Sequence, residues 1–122
     1  MPLRALAIAA LAALTVTAVS TPAAADLQRI TDRGTFMSIV QGRELSRLGV
    51  SLTVAPNGSI IGRALGRDVT GSWSWENGLF CRTLDAGDRS FGRNCQVVSV
   101  DGAMIRFHAD QGTGDIADFR IR

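Results

Sequence analysis

The 122-residue sequence has no lysine and no tyrosine, and His108 is its one histidine. Without lysine, Schiff-base chemistry and a P-loop nucleotide site are excluded, because both need a lysine amine. A single histidine also excludes metal sites built from several imidazoles. All 13 basic residues are therefore arginines, set against 11 acidic residues.

The first 25 residues have the pattern of an export signal. Arg4 supplies a positive start, residues 5–18 are apolar, and Ala23–Ala25 fit a small-residue cleavage site. The apolar stretch is shorter than the about 20 residues that span a bilayer. We predict that residues 1–25 are a cleaved signal peptide. Residues 26–122 would then form one small periplasmic or secreted domain, without stable membrane insertion.

The charge balance of residues 26–122 is nearly even. Losing Arg4 leaves 12 arginines against 11 acids, a net charge of about +1. This balance provides no strong field, so nucleic acid is not predicted as a partner, and the net charge does not favour an anionic membrane.

Cys81 and Cys95 are the only cysteines. In an exported protein an even pair predicts a disulfide. The bond would close a 15-residue loop, which the chain-entropy model values at about 3 kcal/mol.

Short alternating segments lie between turn signals. Asn57-Gly58, Asn77-Gly78 and Asp101-Gly102 suit hairpin turns, because these residue types tolerate positive φ. No segment has a convincing helical period, although residues 43–48 could form one helical turn. We expect strands near residues 34–40, 43–48, 50–55, 59–65, 69–76, 79–84, 94–100, 103–109 and 115–121, with 85–93 as the one long loop.

Eight or nine consecutive short strands predict an all-β antiparallel meander. Closure into a lipocalin-like up-and-down barrel would remove the exposed edges. A small β-sandwich is the alternative.

The predicted hairpins assign residues to faces of the sheet. With Asn77-Gly78 as a two-residue turn, Trp73 opposes Arg82 and Ser74 opposes Cys81. The apolar faces then carry Trp73, Trp75, Phe80 and Leu84 with Arg82 among them, and, at the next hairpin, Val98, Val100, Ala103, Ile105 and Phe107. Both cysteines lie on the more polar face.

These faces contain the candidate ligand-binding residues. Arg82 could stack on Trp73. With Asn57-Gly58 as the turn, Arg63 shares a face with Val50, Leu52 and Val54. Two arginines in a barrel mouth could hold a carboxylate or phosphate, beside Trp73, Trp75 and Phe80. Alternatively, each arginine pairs with an acid such as Glu44, Asp68 or Asp85.

No catalytic, metal or cofactor site is predicted. His108 lies near Asp110 and Asp115, but no G-x-S-x-G turn marks a nucleophile. Residues 110–118 lack the spacing of an EF-hand. No dinucleotide fingerprint is present.

The segment Trp73-Ser-Trp75-Glu-Asn-Gly78-Leu-Phe80-Cys81-Arg82, followed by Asn94-Cys95-Gln96, resembles a family of small bacterial exported proteins. Shorter similarities are residues 42–45, 49–50, 105–107 and 119–120. Many members carry the label dihydrodipicolinate reductase, which implies a nicotinamide cofactor on a Rossmann unit. This chain has no lysine, one histidine and too little length for that unit. The resemblance implies no particular catalytic or binding residues in this chain.

The sequence therefore predicts a non-catalytic module that binds a small ligand or an envelope partner. One alternative is an inhibitor of a protease or lysozyme that acts through residues 85–93. The other alternative is an enzyme that uses His108.

Overall fold

The computed structural model describes residues 12–15 and 26–122, so most of the predicted signal peptide lies outside the described residues. The described chain is mainly β-structure with one short helix, α1, and a four-residue helical turn, α2, in which Asp110 and Gln111 have positive φ. In order, the elements are β1 (Gln28–Ile30), α1 (Arg33–Val40), β2 (Leu45–Arg47), β3 (Val50–Val54), β4 (Ser59–Ala64), β5 (Arg67–Glu76), β6 (Leu79–Ala86), β7 (Arg89–Asp101), β8 (Met104–His108), α2 (Ala109–Gly112) and β9 (Ile116–Ile121).

Strands β2 to β9 form a closed antiparallel barrel. Each strand pairs with the next along the chain, and β9 pairs back with β2 through Leu45 and Ile121. This arrangement confirms the predicted barrel. Strand β1 is additional to it and pairs with the last part of β7, where Ile30 lies opposite Val98. Closure leaves the eight strands of the barrel without a free edge.

The predicted register at Asn77–Gly78 is confirmed. Trp73 lies opposite Arg82, and Ser74 lies opposite Cys81. Cys81 also pairs with Cys95 on β7, and the two form the predicted disulfide between adjacent strands. Asn77 and Gly78 both have positive φ, as this type of turn requires.

The prediction of a strand over residues 34–40 is wrong, because this segment is helix α1. Asp32 begins the helix: its side chain accepts hydrogen bonds from the Thr35 amide (2.9 Å) and hydroxyl (2.8 Å). The buried residues Phe36, Met37 and Val40 follow helical spacing. The helix covers one end of the barrel, which explains why a segment with strand-like composition forms a helix there.

The predicted strand at residues 43–48 is confirmed as β2, so the alternative of a helical turn there is wrong. Another predicted segment differs from the structure. Residues 85–93 are not a long loop: β6 continues to Ala86, β7 begins at Arg89, and Gly87–Asp88 form a two-residue turn. The disulfide therefore joins two paired strands. The inhibitor hypothesis for this segment stays a prediction.

Arg63 lies on the outer face of the barrel, so the prediction that it faces the interior is wrong. The turn contains five residues, not two, because Val54 pairs with Ile60 and the Ala55 amide donates to the Ser59 carbonyl (2.9 Å). The difference between five residues and two is odd, and an odd shift in register turns each side chain of β4 to the opposite face of the sheet. Arg63 instead forms an ion pair with Asp68 (2.6 Å), as the alternative prediction had it.

The core lies inside the barrel and beneath α1. Phe36, which is fully buried, contacts four aromatic rings at centroid distances of 5.2 to 6.4 Å. These rings belong to Trp73, Trp75, Phe80 and Phe107. Across the described ranges, no helix is long and apolar enough to cross a membrane.

Candidate functional site

The two ends of the barrel differ. Because consecutive strands are antiparallel, their turns alternate between the ends. Helix α1 covers one end, where Arg33 donates to the Pro56 carbonyl (2.6 Å) and the Trp75 indole donates to the Thr31 carbonyl (3.0 Å). The opposite end, which we call the mouth, is formed by the turns Leu48–Gly49, Leu65–Gly66 and Gly87–Asp88.

An apolar cavity of about 140 Å³ lies inside the barrel. Its wall has two polar side chains, Arg82 and Gln96, and the Gln96 amide donates to the Asn94 side chain (3.2 Å). The other lining residues are Leu45, Leu52, Val54, Ile60, Phe80, Leu84, Phe107, Ala117 and Phe119. Eight-stranded barrels are wide enough to hold one small ligand in this position.

The mouth contains a larger depression of about 800 Å³. It shares Leu52, Arg82, Leu84 and Phe119 with the inner cavity, so the two spaces adjoin. Within the described part of the chain, four arginines and no carboxylate line this depression. The residues that form it are Arg47, Leu48, Val50, Leu52, Ala64, Leu65, Arg67, Val69, Arg82, Leu84, Ala86, Arg89, Phe91 and Phe119.

Strand register brings three of these arginines to the mouth. Arg47 pairs with Val50, Arg67 with Ala64, and Arg89 with Ala86. Each apolar partner lines the same depression. The arginines therefore extend the inward-facing rows of β2, β5 and β7 to the ends of the strands, where the apolar interior meets solvent.

Arg82 lies at the junction of the cavity and the mouth. A β-bulge in β7 places the Gly92 carbonyl within reach, and the guanidinium donates to it (3.1 Å). No carboxylate of the described chain forms an ion pair with Arg82. Burial lowers the pKa of the Arg82 guanidinium, but arginine stays charged in proteins. The site thus holds a half-buried positive charge without an acidic partner.

The structure places only some of the predicted ligand-binding residues at the cavity. Phe80 and Arg82 line the cavity. Trp73 and Trp75 instead pack against Phe36 of α1, and both indole N–H groups donate to backbone carbonyls. Arg63 does not line either space. The cation over the Trp73 ring is Arg33, at 5.0 Å, so the expected stacking of Arg82 is wrong.

Sequence reasoning missed Arg47, Arg67 and Arg89. A signal for Arg67 is present, because it has the same parity as Val69 and Trp73 along one strand. Because residues 85–93 are predicted as a loop, the sequence gives no strand face for Arg89. Arg47 has the same parity as the buried Leu45, but β2 has only three residues and gives little periodicity.

His108 lies outside this site. It precedes α2 on the outer face of β8, next to the buried Phe107, and its side chain makes no hydrogen bond to the described residues. Asp110 forms hydrogen bonds with Asn94 instead. The Asn94 side-chain amide donates to the Asp110 carboxylate (2.6 Å), and the Asn94 side-chain oxygen accepts from the Asp110 backbone amide (3.0 Å). Within residues 12–15 and 26–122, no group of three potential metal ligands occurs. The structure therefore does not bring His108 together with an acid and a nucleophile.

Comparisons with family models, curated proteins and solved structures gave no match for this chain.

Proposed function

We propose that this protein binds a small organic anion that carries an apolar or aromatic tail. The observation that carries this proposal is Arg82: a half-buried guanidinium, without an acidic partner, between an apolar cavity and an arginine-lined mouth. A buried charge is costly unless it is paired. A bound carboxylate or phosphate would provide the missing partner, and it would accept charge-assisted hydrogen bonds.

The two spaces define the shape of the ligand. A cavity of about 150 Å³ lined by apolar side chains binds benzene in another protein, and the inner cavity is of similar size, about 140 Å³. A benzene-sized ring or a short alkyl segment therefore fits below Arg82. The anionic group would lie at Arg82, with Arg47, Arg67 and Arg89 around the wider mouth.

Charge recognition separates this ligand class from neutral apolar molecules. Hydrogen bonds to charged groups contribute about 1.5–3 kcal/mol each. A neutral ligand of the same shape would leave Arg82 desolvated and unpaired. We therefore expect an acid to bind at least about tenfold more tightly than its neutral amide.

The test is isothermal titration calorimetry with octanoate and 4-phenylbutyrate, each compared with its primary amide. We expect the wild type to prefer the acids, and Arg82→Gln to remove that preference. Arg63→Gln is the matched control, because Arg63 lies on the outer face and its loss changes the net charge equally. Failure of both acids to bind at millimolar concentration, or an unchanged preference in Arg82→Gln, would overturn the proposal.

We also propose that the protein is exported and works in the periplasm or outside the cell. The alanine-rich pattern of residues 1–25 and the Cys81–Cys95 disulfide support this location. Membership of the exported family that carries the Trp73–Arg82 motif is likewise a proposal. An intact-mass measurement would test cleavage after Ala25.

A further inference from the structure

We propose that the mouth of the barrel docks on an anionic lipid bilayer. Leu48, Leu65 and Phe91 would enter the interfacial region, and the surrounding arginines would contact lipid phosphates. This surface is a separate proposal from the ligand site inside the barrel, and either one could fail without the other.

Exposed apolar side chains are concentrated around the mouth. Leu48 is 99% exposed, Leu65 is 83% exposed and Phe91 is 41% exposed. Isolated exposed leucines are ordinary on protein surfaces. These three line one depression, however, and Leu48 and Leu65 stand at the tips of neighbouring turns. A clustered apolar patch of this kind marks an interaction site.

The backbone holds these two tips together. The Leu65 amide donates to the Gly49 carbonyl (2.8 Å) across the turns. The Leu65 side chain lies over Gly49 so closely that a β-carbon there would be 2.7 Å from Leu65 Cδ2. The patch is therefore a defined surface and not a chance meeting of two loops.

Leu65 occupies a position that does not suit leucine. Its φ is +51°, in the left-handed region, and it is followed by Gly66 at +79°. Such turns favour asparagine, aspartate or glycine at the first position, because bulky side chains are strained there. Packing in the core does not explain the residue, since its side chain is largely exposed. A strained residue whose side chain is not buried in the core points to function.

The charge around the patch identifies the partner. Arg47, Arg67 and Arg89 line the depression, which has no acidic side chain. Asp88 lies in one of the mouth turns and Asp68 is paired with Arg63 on the outer face, so the positive charge is concentrated within the lining of the depression. Leucines at convex tips among arginines fit the interface of an anionic membrane, where apolar groups insert and basic groups meet phosphates. Leu48 and Leu65 stand at the rim of the depression, largely exposed, beside arginines whose charge complements anionic headgroups, so we commit to a lipid surface.

The test is co-sedimentation with vesicles of phosphatidylcholine alone and with one-quarter phosphatidylglycerol. We expect wild-type protein to bind the anionic vesicles at least about tenfold more tightly than the neutral ones, with affinity that falls as salt rises. Leu48→Gln combined with Leu65→Asn should reduce binding to the anionic vesicles by a similar factor without any change in net charge. Ile61→Gln is the matched control, because Ile61 is 57% exposed on the outer wall of β4.

A second pair of variants tests the charge. Arg47→Gln combined with Arg89→Gln should weaken binding to anionic vesicles. Arg29→Gln combined with Arg43→Gln removes the same charge from the region of the opposite end and should bind like the wild type. Every variant keeps the N-terminal residues of the wild type, so residues 1–25 cannot cause a difference between them. Equal binding to neutral and anionic vesicles, equal effects of the test and control pairs, or no binding to anionic vesicles would overturn the proposal.

Discussion

Leu65 and Asn77 occupy the same position in two equivalent turns. Their φ angles are +51° and +52°, and each precedes a glycine that also has positive φ, Gly66 and Gly78. Both turns join paired neighbouring strands through two residues. Asparagine is a favoured residue at this position, and leucine is not. The turn at the mouth therefore carries a conformational cost that the turn at the covered end avoids.

Exchanging these residue types should change stability in opposite directions. We expect Leu65→Asn to raise the free energy of unfolding by about 1 kcal/mol, because it relieves left-handed strain. Asn77→Leu should lower it by a similar amount. Urea denaturation measures both changes. A loss of stability in Leu65→Asn would show that the contact with Gly49 outweighs the strain.

Arg82 should reduce the stability of the empty protein. Its guanidinium is half-buried, and its one hydrogen bond to a described residue is to the Gly92 carbonyl. We expect Arg82→Leu to raise the free energy of unfolding by about 1 kcal/mol. Gains of this size are common when a residue kept for function is replaced by one that suits the fold. Chemical denaturation without ligand measures the change, and Arg63→Leu serves as the comparison. A clear loss of stability would mean that Arg82 has a structural role.

Phe36 should be one of the largest contributors to stability from α1. The side chain is fully buried among aromatic rings, so Phe36→Ala should lower the free energy of unfolding by about 3–5 kcal/mol. Ser38→Ala, on the exposed side of the same helix, should change it by about 0.5 kcal/mol or less. Denaturant titration of both variants is the measurement. A small effect of Phe36→Ala would contradict the described packing of the helix.

The disulfide between Cys81 and Cys95 should stabilise the fold substantially. It closes a 15-residue loop, and reduction should lower the free energy of unfolding by about 3 kcal/mol. Denaturation with and without reductant compares the two forms. In Cys81→Ala combined with Cys95→Ala, reductant should have no further effect. An unchanged midpoint for the reduced wild type would show that the bond contributes little.

Stability should decline in acid. Hydrogen bonds from Arg106 (2.8 and 3.0 Å) lower the pKa of Asp118 below its ordinary 3.8. The backbone amide of Thr35 likewise lowers the pKa of Asp32, and the Arg93 side chain lowers that of Glu76. Because the folded state binds these protons more weakly than the unfolded chain, their contribution is complete above about pH 5 and is lost as the pH falls through the lowered values.

A series of urea midpoints from about pH 6 to about pH 2.5 measures this decline. Asp118→Asn should flatten it, because one of the shifted carboxyls is removed. Asp101→Asn is the matched control, because Asp101 forms no ion pair with any described residue. An equal slope for wild type and Asp118→Asn would contradict the role of the Arg106 pair.

The parts of the fold that were predictable depend on local chemistry. Asn77-Gly78 predicts a two-residue turn, and the alternating residues around it then define the register from Trp73 to Arg82. The same rule gave the wrong face for Arg63. There the Asn57 side chain accepts from the Ser59 amide (3.0 Å), within a loop of five residues rather than two. A turn signal locates a turn, but it does not give its length.

The candidate site was predictable only in part. The turn at Asn77–Gly78 is sufficient to place Arg82 and Phe80 on the inner face, where both line the cavity. The sequence places Trp73 and Trp75 on the ligand-facing side, but their rings pack against Phe36 of α1, a segment that the sequence predicts as a strand. Threonine, isoleucine and valine within residues 34–40 favour a strand. The Asp32 cap and the packing of Phe36 against the barrel favour the helix.

The antiparallel meander, the disulfide and the arginine on the aromatic face all follow from the amino-acid sequence alone. Each of these follows from residue spacing of two, from turn residues or from the pairing of the only cysteines. Which end is covered, and which arginines line the mouth, depends on how the strands pack in three dimensions. Arg47, Arg67 and Arg89 are far apart in the chain and come together because β9 pairs with β2 and closes the sheet on itself. These arginines are close because the sheet closes into a barrel, and no local sequence pattern predicts that long-range pairing.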